Sequence, residues 1–467
     1  MNLTSSKIAN IVSGKLVGEK NISIDYIYYD VLKQDNPKTP FLYIPYINSY
    51  RNIDSTNFIS KMAAKGAKGV LLEANQLNLV ETKDFSFYII VKDLQKASLS
   101  LAKYYRQNHE GKVIAVTGSC GKTTSKEMID SVLKSAKTSS LKTVRNINGF
   151  GGTSHVLFNA NKKDWLVIEA GVNGLKRLPS LAESISPTYL LVTNISNTHF
   201  DRLKSLKEVA YHKLKLAYTS TPPDKIVLNG DDPHLKHHIT DKTITFGFGL
   251  QNNYVIKDIV SLGKEGSTFK IKKDEKEFAV KTPLLGKHNV LNACGVFALS
   301  HSIGLPVKHI VSGIKAFSGI VHENYETSKL KEVKGVNFYD DTQHFNIPGL
   351  KSGLETFFSL TPNKGNVILG YDYKFNSENF SFRELHLALL PYIKKIKTLY
   401  LIGDKWLEHK DFVSDITNDI QIVSDCEQLA KYLKEQLKPG DFVYAKGDFH
   451  QHLRKIFHLM EVYEDVN

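Results

Sequence analysis

Gly118-Ser119-Cys120-Gly121-Lys122-Thr123-Thr124 sets a flexible backbone beside an ammonium and two threonine hydroxyls, a combination suited to a nucleoside triphosphate. Gly118 and Gly121 let the chain turn tightly enough to aim successive N–H groups at an anion. Lys122 would then reach the β- and γ-phosphates and the Thr123 hydroxyl would hold Mg²⁺, with Ser119, Cys120 and Thr124 completing the cradle. The spacing is compact: Val116 stands where the standard loop has its first glycine, and Gly118 lies four residues before Lys122. Cys120 reads most simply as a small residue filling a turn.

Such a loop works only between a strand and a helix. Val113–Val116 is an apolar run that predicts a buried strand, and Ser125–Ala136 predicts a helix with Met128, Ile129, Val132, Leu133 and Ala136 on one face. Its positive end would face the same phosphates. Glu169 closes the apolar strand Trp165–Glu169. An isolated glutamate there would be an exposed turn acid, but beside a nucleotide loop it reads as a ligand for Mg²⁺, a hard cation that takes carboxylate and phosphate oxygens together. His199 follows the strand Tyr189–Asn194 and is either structural or part of the site. Ser205-Leu206-Lys207-Glu208 is a capping box opening a helix whose buried side carries Val209, Leu216 and Ala217. Lys213 falls on a flank of that helix, where spacing alone reads it as a surface lysine.

The chain of 467 residues exceeds one ordinary core, so two or three domains are expected. With 42% hydrophobic and 23% charged residues it has the composition of a globular protein. No apolar run approaches the roughly 20 residues that span a bilayer, and Met1 to Leu16 lacks a signal-peptide core. The expectation is a cytoplasmic monomer without membrane insertion. Cys120, Cys294 and Cys426 are scattered, so neither a disulfide framework nor a zinc site is indicated. The net charge of +13 is concentrated in residues 110–322, which hold 29 Lys/Arg against 17 Asp/Glu. That region also holds the loop, so a small polyanion accounts for the charge better than nucleic acid does.

Three α/β regions follow from the pattern: 1–109, a small N-terminal domain; 110–318, a central ATP-binding domain of the P-loop type with a mostly parallel sheet; and 319–467, a Rossmann-like C-terminal domain; that the first is a substrate-binding domain is implied only by the family resemblance given below. In the first, strands are predicted at Ser23–Tyr29, Phe41–Ile47, Gly69–Glu73 and Phe85–Val91, with helices at Asn57–Lys68 and Leu94–Gln107. In the second, Tyr254–Lys281 predicts an antiparallel hairpin set with Lys270–Glu277 as a solvated turn, and a helix follows at Asn289–Ile303. In the third, strands are predicted at Gly335–Tyr339, Asn366–Leu369, Thr398–Ile402 and Asp441–Ala445, with helices at Gly349–Phe358, Phe382–Lys395 and Cys426–Gln436.

The order of motifs resembles that of the Mur ligases. Thr117-Gly118-Ser119-Cys120-Gly121-Lys122-Thr123-Thr124 is followed by Asn146-Ile147-Asn148, Glu169-Ala170-Gly171, Thr193-Asn194-Ile195 with His199, Lys213, Leu228-Asn229-Gly230-Asp231-Asp232-Pro233, Gly286-Lys287-His288-Asn289 with Asn292, Asp340-Asp341-Thr342 with Asn346 and Pro348, and Lys446-Gly447. The resemblance covers about residues 110–350 strongly, the last hundred moderately and the first hundred weakly. It implies that Lys122 and Thr123 hold the ATP phosphates and Mg²⁺, that Glu169 and His199 sit at the metals, and that Asn148 belongs to the catalytic set. It further implies that Lys213 adds CO₂ to become a carbamate ligand of a second Mg²⁺, that His288 and Asn289 contact adenine, and that Asp341 reaches the nucleotide.

The activity so implied is ATP-dependent amide formation through an acyl phosphate, joining a nucleotide-linked peptide acid to an amino acid or dipeptide amine in cell-wall precursor synthesis. Departures concentrate on the substrate side. The serine-arginine element expected near Tyr28-Tyr29-Asp30-Val31 is not recognisable, Asn148-Gly149 replaces paired asparagines, the glycine-arginine step near Gly319 to Tyr325 is missing, Lys215 stands where an acid is usual, and Lys446-Gly447-Asp448 carries Asp for Ser. A ligase for a different acid and amine is therefore the enzymatic alternative, and a nucleotide-binding partner that lost the reaction is the non-enzymatic one.

Overall fold

The structure, a computed structural model, describes residues 3–29, 40–45, 47–48, 53–145, 147–171, 178–196, 205–319, 321–322, 325–326, 330–342, 345–370, 382–403, 406–407, 411, 419–447, 453 and 455–462. The chain divides into two compact units. One comprises Met1–Thr117, Leu133–Val192 and Tyr211–Val227, and the other Gly118–Val132, Thr193–Ala210 and Leu228–Asn467. Both are α/β, with mostly parallel sheets, as the sequence predicts.

After a short strand (Leu3–Thr4) and helix (Ser5–Ile11), the first unit builds a sheet from β1 (Lys15–Gly18), β2 (Tyr26–Tyr29), β3 (Phe41–Ile44), β4 (Ala67–Glu73) and β5 (Phe87–Val91) in the order β1-β5-β4-β3-β2. Only β1 runs antiparallel. Parallel strands are covered on both faces and need near-continuous apolar sequence. Accordingly all four residues of β3 are buried, and Tyr28, Tyr43, Val70 and Leu72 share a core with Ile59 and Met62. The helix expected over Asn57–Lys68 is shorter than predicted: its α-helical part covers Ile59–Ala64 and stops at Gly66, whose φ of 96° no β-carbon favours, so that Ala67 opens β4 instead. Helix α1 (Leu94–Gln107) matches its predicted bounds and is capped by Asp93, which accepts from the Lys96 N–H at 2.9 Å. Near its end the Arg106 guanidinium donates to the carbonyls of Ile185 and Ser186.

Next come β6 (Lys112–Thr117), α2 (Lys122–Ser135), β7 (Ser140–Lys142), α3 (Phe150–Phe158), β8 (Trp165–Glu169), α4 (Leu178–Ile185) and β9 (Tyr189–Val192). In the first unit β7, β8, β6 and β9 are adjacent and parallel. Register pairs Val116 with Glu169 and Thr117 with Val192, which brings three strand ends to one edge. Open parallel sheets bind ligands at that carboxyl edge. Helix α2 begins three residues earlier than predicted, and Met128, Ile129, Val132 and Leu133 are its buried stripe. Helix α5 (Leu206–Leu214) starts after Ser205, whose hydroxyl accepts from the Glu208 N–H at 3.2 Å as the capping box requires.

Helix α3 is buried along Gly151–Phe158 and includes His155, whose basicity burial pushes down to about pKa 4. The ordinary value is about 6.5, so between those limits the unfolded chain holds the proton that the folded helix refuses, and stability falls as pH drops. The slope approaches 1.4 kcal/mol per pH unit at most. Urea denaturation should therefore show a larger loss of stability from pH 7.5 to 5 in the wild type than in His155→Met; equal losses would refute the assignment.

After β10 (Lys225–Asn229), the second unit contains β11 (Thr243–Gly247), β12 (Tyr254–Ser261), β13 (Ser267–Lys273) and β14 (Lys276–Thr282), adjacent in that order, with the last three antiparallel as predicted. Lys270–Glu277 is not a turn as a whole. Its flanks are strand, and only Asp274 and Glu275 turn, with Asp274 at φ 53°. Helices α6 (Lys287–Ser302) and α7 (Val307–Ala316) follow.

The last sheet has the order β15-β16-β20-β17-β18-β19, where β15 is Leu330–Val333, β16 Val336–Asp341, β17 Gly365–Gly370, β18 Ile396–Ile402, β19 Ile420–Val423 and β20 Phe442–Lys446. Apart from the β15 edge it is parallel. Alternation along the strands feeds two cores: Tyr339, Val367, Leu369 and Tyr444 pack with α8 (Ile347–Leu360) and α9 (Phe382–Leu389), while Phe338, Ile368, Val443 and Ala445 pack with α10 (Cys426–Gln436). The α-helix predicted to run to Lys395 ends at Leu389; Pro391 lacks an N–H and the chain continues as a 3₁₀ turn.

Candidate active site

Within the second unit, the phosphate-loop residues are clamped by the segment that begins at Thr193. The N–H of Ser119 donates to the Asn194 carbonyl at 2.8 Å and that of Cys120 to Asn194 Oδ1 at 3.0 Å, while Asn194 Nδ2 and Thr193 Oγ1 both donate to the Cys120 carbonyl, at 3.0 and 2.5 Å. Ser119 Oγ donates to the Ser196 carbonyl and accepts from the Ser196 N–H. Gly118 (φ 142°) and Gly121 (φ 77°) lie where glycine is favoured, and a β-carbon on Gly118 would collide with Thr193 Oγ1. Lys122 Nζ donates across the turn to the carbonyls of Gly118 and Ser119 at 2.9 and 3.0 Å. Because α2 begins at Lys122, the N–H groups of Lys122, Thr123 and Thr124 fall in its first turn, where an α-helix offers no internal acceptor. A rigid turn, an ammonium and aligned N–H groups form a cradle with the chemistry that a triphosphate needs.

The residues expected at the nucleoside lie in the same unit. Asn289 is buried and spends its amide within the chain: Nδ2 donates to the Leu285 carbonyl at 2.8 Å, and Oδ1 accepts from Asn292 Nδ2 at 3.3 Å. Asn292 in turn sits against Gly121, where a β-carbon would come within 2.5 Å of its Oδ1. The start of α6 is thereby tied to the loop. His288 is half-buried; burial, with the Lys446 charge assisting and Glu355 opposing, pushes its basicity down to about pKa 4, so its ring is neutral at physiological pH. Lys287 pairs with Glu355 of α8 at 3.2 Å. Asp341, at the end of β16, accepts on Oδ2 from Tyr444 at 2.7 Å and Lys446 at 2.8 Å. Asn346 caps α8 by accepting from the Gly349 N–H, and Cys120 Sγ reaches its Oδ1 at 3.7 Å.

In the first unit the structure brings Asn148 and Glu169 together. Asn148 Nδ2 donates to Glu169 Oε1 at 2.8 Å, and the Asn148 carbonyl accepts from the Gly171 N–H at 2.7 Å. The Glu169 N–H donates to Thr143 Oγ1. Glu169 is 1% exposed, so it is no turn acid. Lys213 departs from what helical spacing suggests: it is also 1% exposed, among the largest fully buried side chains. His199 lies outside the described residues. Among the described residues no group of three His, Cys, Asp or Glu side chains could hold a metal. The Thr123 hydroxyl in the second unit and the Glu169 carboxylate in the first are each hard oxygen donors of the kind that Mg²⁺ takes.

Sequence reasoning assigned no role to Asn194, Asn292, Tyr444 or Gly353. Asn194 and Asn292 stand inside motifs that were legible as strings, but what each amide binds depends on a second segment. For Tyr444 and Gly353 the sequence carries no signal beyond an apolar strand and an interior helix position.

Residues 116–300 match the Mur ligase middle domain. The chain is 28% identical over 467 residues, covering 97% of each protein, to the UDP-N-acetylmuramoyl-tripeptide--D-alanyl-D-alanine ligase of Bacillus subtilis (strain 168). Its fold is shared with MurF from Acinetobacter baumannii, with a TM-score of 0.82 at 19% identity over 99% of each chain. It is shared also with the Thermotoga maritima MurF ligase solved with ADP, with a TM-score of 0.74 at 20% identity over 94% of this chain and 98% of that one.

Proposed function

We propose, for a chain that carries a Mur ligase middle domain, ATP-dependent amide synthesis in which D-alanyl-D-alanine is added to UDP-N-acetylmuramoyl-tripeptide during peptidoglycan precursor synthesis. The observation that carries the reading is the clamped phosphate loop, Gly118–Thr124, running directly into α2. The substrate carboxylate attacks the γ-phosphorus, the bond to the bridging oxygen breaks, and ADP leaves. The amine then attacks the acyl carbon, phosphate departs, and the nitrogen gives up a proton.

Lys122 and the first-turn N–H groups of α2 stabilise the charge that gathers on the transferred phosphoryl group. Ser119, Cys120 and Gly121 shape the cradle around it. Thr123, Glu169, His199 and a carbamylated Lys213 are the proposed holders of two magnesium ions, whose chemistry when bound is to neutralise phosphate charge. Asn148 holds Glu169 in place. His288 and Asn289 serve the adenine end, His288 as a neutral ring and Asn289 by fixing the α6 entry to the loop, and Asp341 serves the nucleoside. We assign 1–109 to the acid substrate, 110–318 to ATP and 319–467 to closing the site, in a cytoplasmic monomer acting on small molecules.

Purified protein given ATP, Mg²⁺, the UDP-linked tripeptide and the dipeptide should release phosphate only when both acceptors are present. Release that ignores one of them removes that substrate from the assignment. A second reading, the same reaction on another acid, draws on β2: Tyr28 and Tyr29 are 1% and 3% exposed, and Tyr29 packs edge-on against Phe150 and Phe158. Side chains used in this way are core and not a uridine pocket. Turnover of ATP with a different carboxylate, and none with the UDP-linked tripeptide, would select it.

A further inference from the structure

The run Leu228-Asn229-Gly230-Asp231-Asp232-Pro233 carries two adjacent carboxylates that the proposed chemistry leaves unused. Asn229 closes β10, and its Oδ1 accepts from the Asp231 N–H at 3.1 Å to start a turn from which the two acids serve different segments. Asp231 accepts from the N–H groups of Phe248 and Gly249, at 2.6 and 3.0 Å, and from Asn252 Nδ2 at 2.8 Å, and so holds the turn that follows β11. Asp232 is buried; its Oδ1 accepts from the His234 N–H at 2.9 Å and its Oδ2 from the Ile195 N–H at 2.6 Å. Among the described residues its side chain meets these two N–H groups and no cation. Ile195 lies inside the segment that clamps the phosphate loop. On one side of it the Asn194 amide brackets Cys120, and on the other Ser196 exchanges two hydrogen bonds with Ser119. Residues 193–196 belong to no strand, so no ladder fixes where they stand and side chains must do so.

Stability is a poor account of Asp232, because a carboxylate taken out of water without a cation gives up much of what its hydrogen bonds return. What it does supply is placement: a charge-assisted hydrogen bond is short and strong, and this one pins a backbone atom at the middle of the clamp. We infer that Asp232 is a positioning residue for phosphate recognition, acting through Ile195 and Asn194 to hold the loop N–H groups in the direction that meets the nucleotide's phosphates. The inference deepens the proposed function and rests on it. The chain of contacts is short, Asp232 to Ile195 and Asn194 to Cys120, and lies within the second unit. Asn289, at the proposed adenine end, is held separately, by the Leu285 carbonyl and Asn292. Loss of Asp232 therefore weakens recognition of phosphate and spares recognition of adenine. Asp231 is the internal control, since it has the same charge, stands one residue away and holds a segment that does not touch the loop.

The test is equilibrium dialysis of the full chain with radiolabelled ADP and adenosine, and the quantity read is the ratio of the two affinities. In Asp232→Ala the ADP affinity should fall about tenfold or more, the size expected of losing a hydrogen bond to a charged group, while adenosine stays within about twofold. Asp232→Asn keeps the shape and one acceptor oxygen, and its ratio should lie between those of wild type and Asp232→Ala. Asp231→Asn should lower the melting temperature and leave the ratio unchanged. Thermal melts report whether Asp232→Ala folds; if it does not, the ratio in Asp232→Asn decides. Three results overturn the inference while leaving the proposed function standing: a wild-type ratio in the folded Asp232 variants, an equal loss of ADP and adenosine, or a change of ratio in Asp231→Asn as large as that in Asp232→Asn. A wild type that binds ADP no more tightly than adenosine overturns both, because the loop then contributes nothing.

Discussion

Lys122→Ala should lower the rate of ATP-dependent amide formation by about 10²–10³-fold or more, the usual consequence of removing one preorganised charge contact at a reacting group. The ammonium is already held over the turn by the carbonyls of Gly118 and Ser119, so little reorganisation separates its resting position from one that meets a phosphate. The loop beneath does not depend on it, because Thr193, Asn194 and Ser196 hold the backbone through bonds that the substitution leaves in place. ADP affinity should accordingly fall far less than the rate, since the contact strengthens as charge moves onto the γ-phosphoryl group. Lys122→Arg keeps the charge but replaces a compact ammonium with a planar fork, and should recover only part of the loss. Phosphate release and ADP calorimetry on the same preparations give both numbers. A Lys122→Ala enzyme within about threefold of wild type in rate would remove Lys122 from the transition state.

The phosphate loop was legible because its parts are adjacent in sequence. Strand, glycines, lysine and helix follow one another, and local rules suffice to predict β6 and α2. Glu169 was legible for a related reason, since a carboxylate closing an apolar strand can be placed before any tertiary contact is known. Lys213 shows where this stops. Helical spacing assigns it a flank, but whether a flank meets water depends on what packs over it, and here the lysine is buried. The Asp341 arrangement needs more still: Lys446 and Tyr444 reach Oδ2 through strand register between segments a hundred residues apart, and Gly353, where a β-carbon would collide with the Tyr444 hydroxyl, is informative only once that hydroxyl is in place. The overlong helix at Asn57–Lys68 failed for a local reason, because the apolar period runs on past the glycine at which the backbone changes hand.

The second large effect is expected at Lys213, and it follows from burial. The residue lies in the last turn of α5, where the carbonyl end of the helix favours a cation and disfavours an anion. Carbamylation, in which the amine nitrogen bonds to CO₂ carbon and releases a proton, would place an anion there, out of water, at a cost of several kcal/mol unless a cation meets it. Magnesium ions held there, as proposed above, would supply that compensation, so the modification and the metals should stand or fall together. Enzyme freed of CO₂ should lose most of its turnover and regain it on addition of bicarbonate, while native mass spectra gain one CO₂ only when Mg²⁺ and nucleotide are present. Lys213→Met, which fills the volume and cannot react, should lose about 10²-fold or more in rate and ignore bicarbonate, with thermal melts showing that it still folds. Lys213→Arg should behave the same way, although it preserves the positive charge. If CO₂-free enzyme retains its activity and the arginine variant turns over normally, Lys213 is a structural cation at a helix end and the second metal site must be built from other residues.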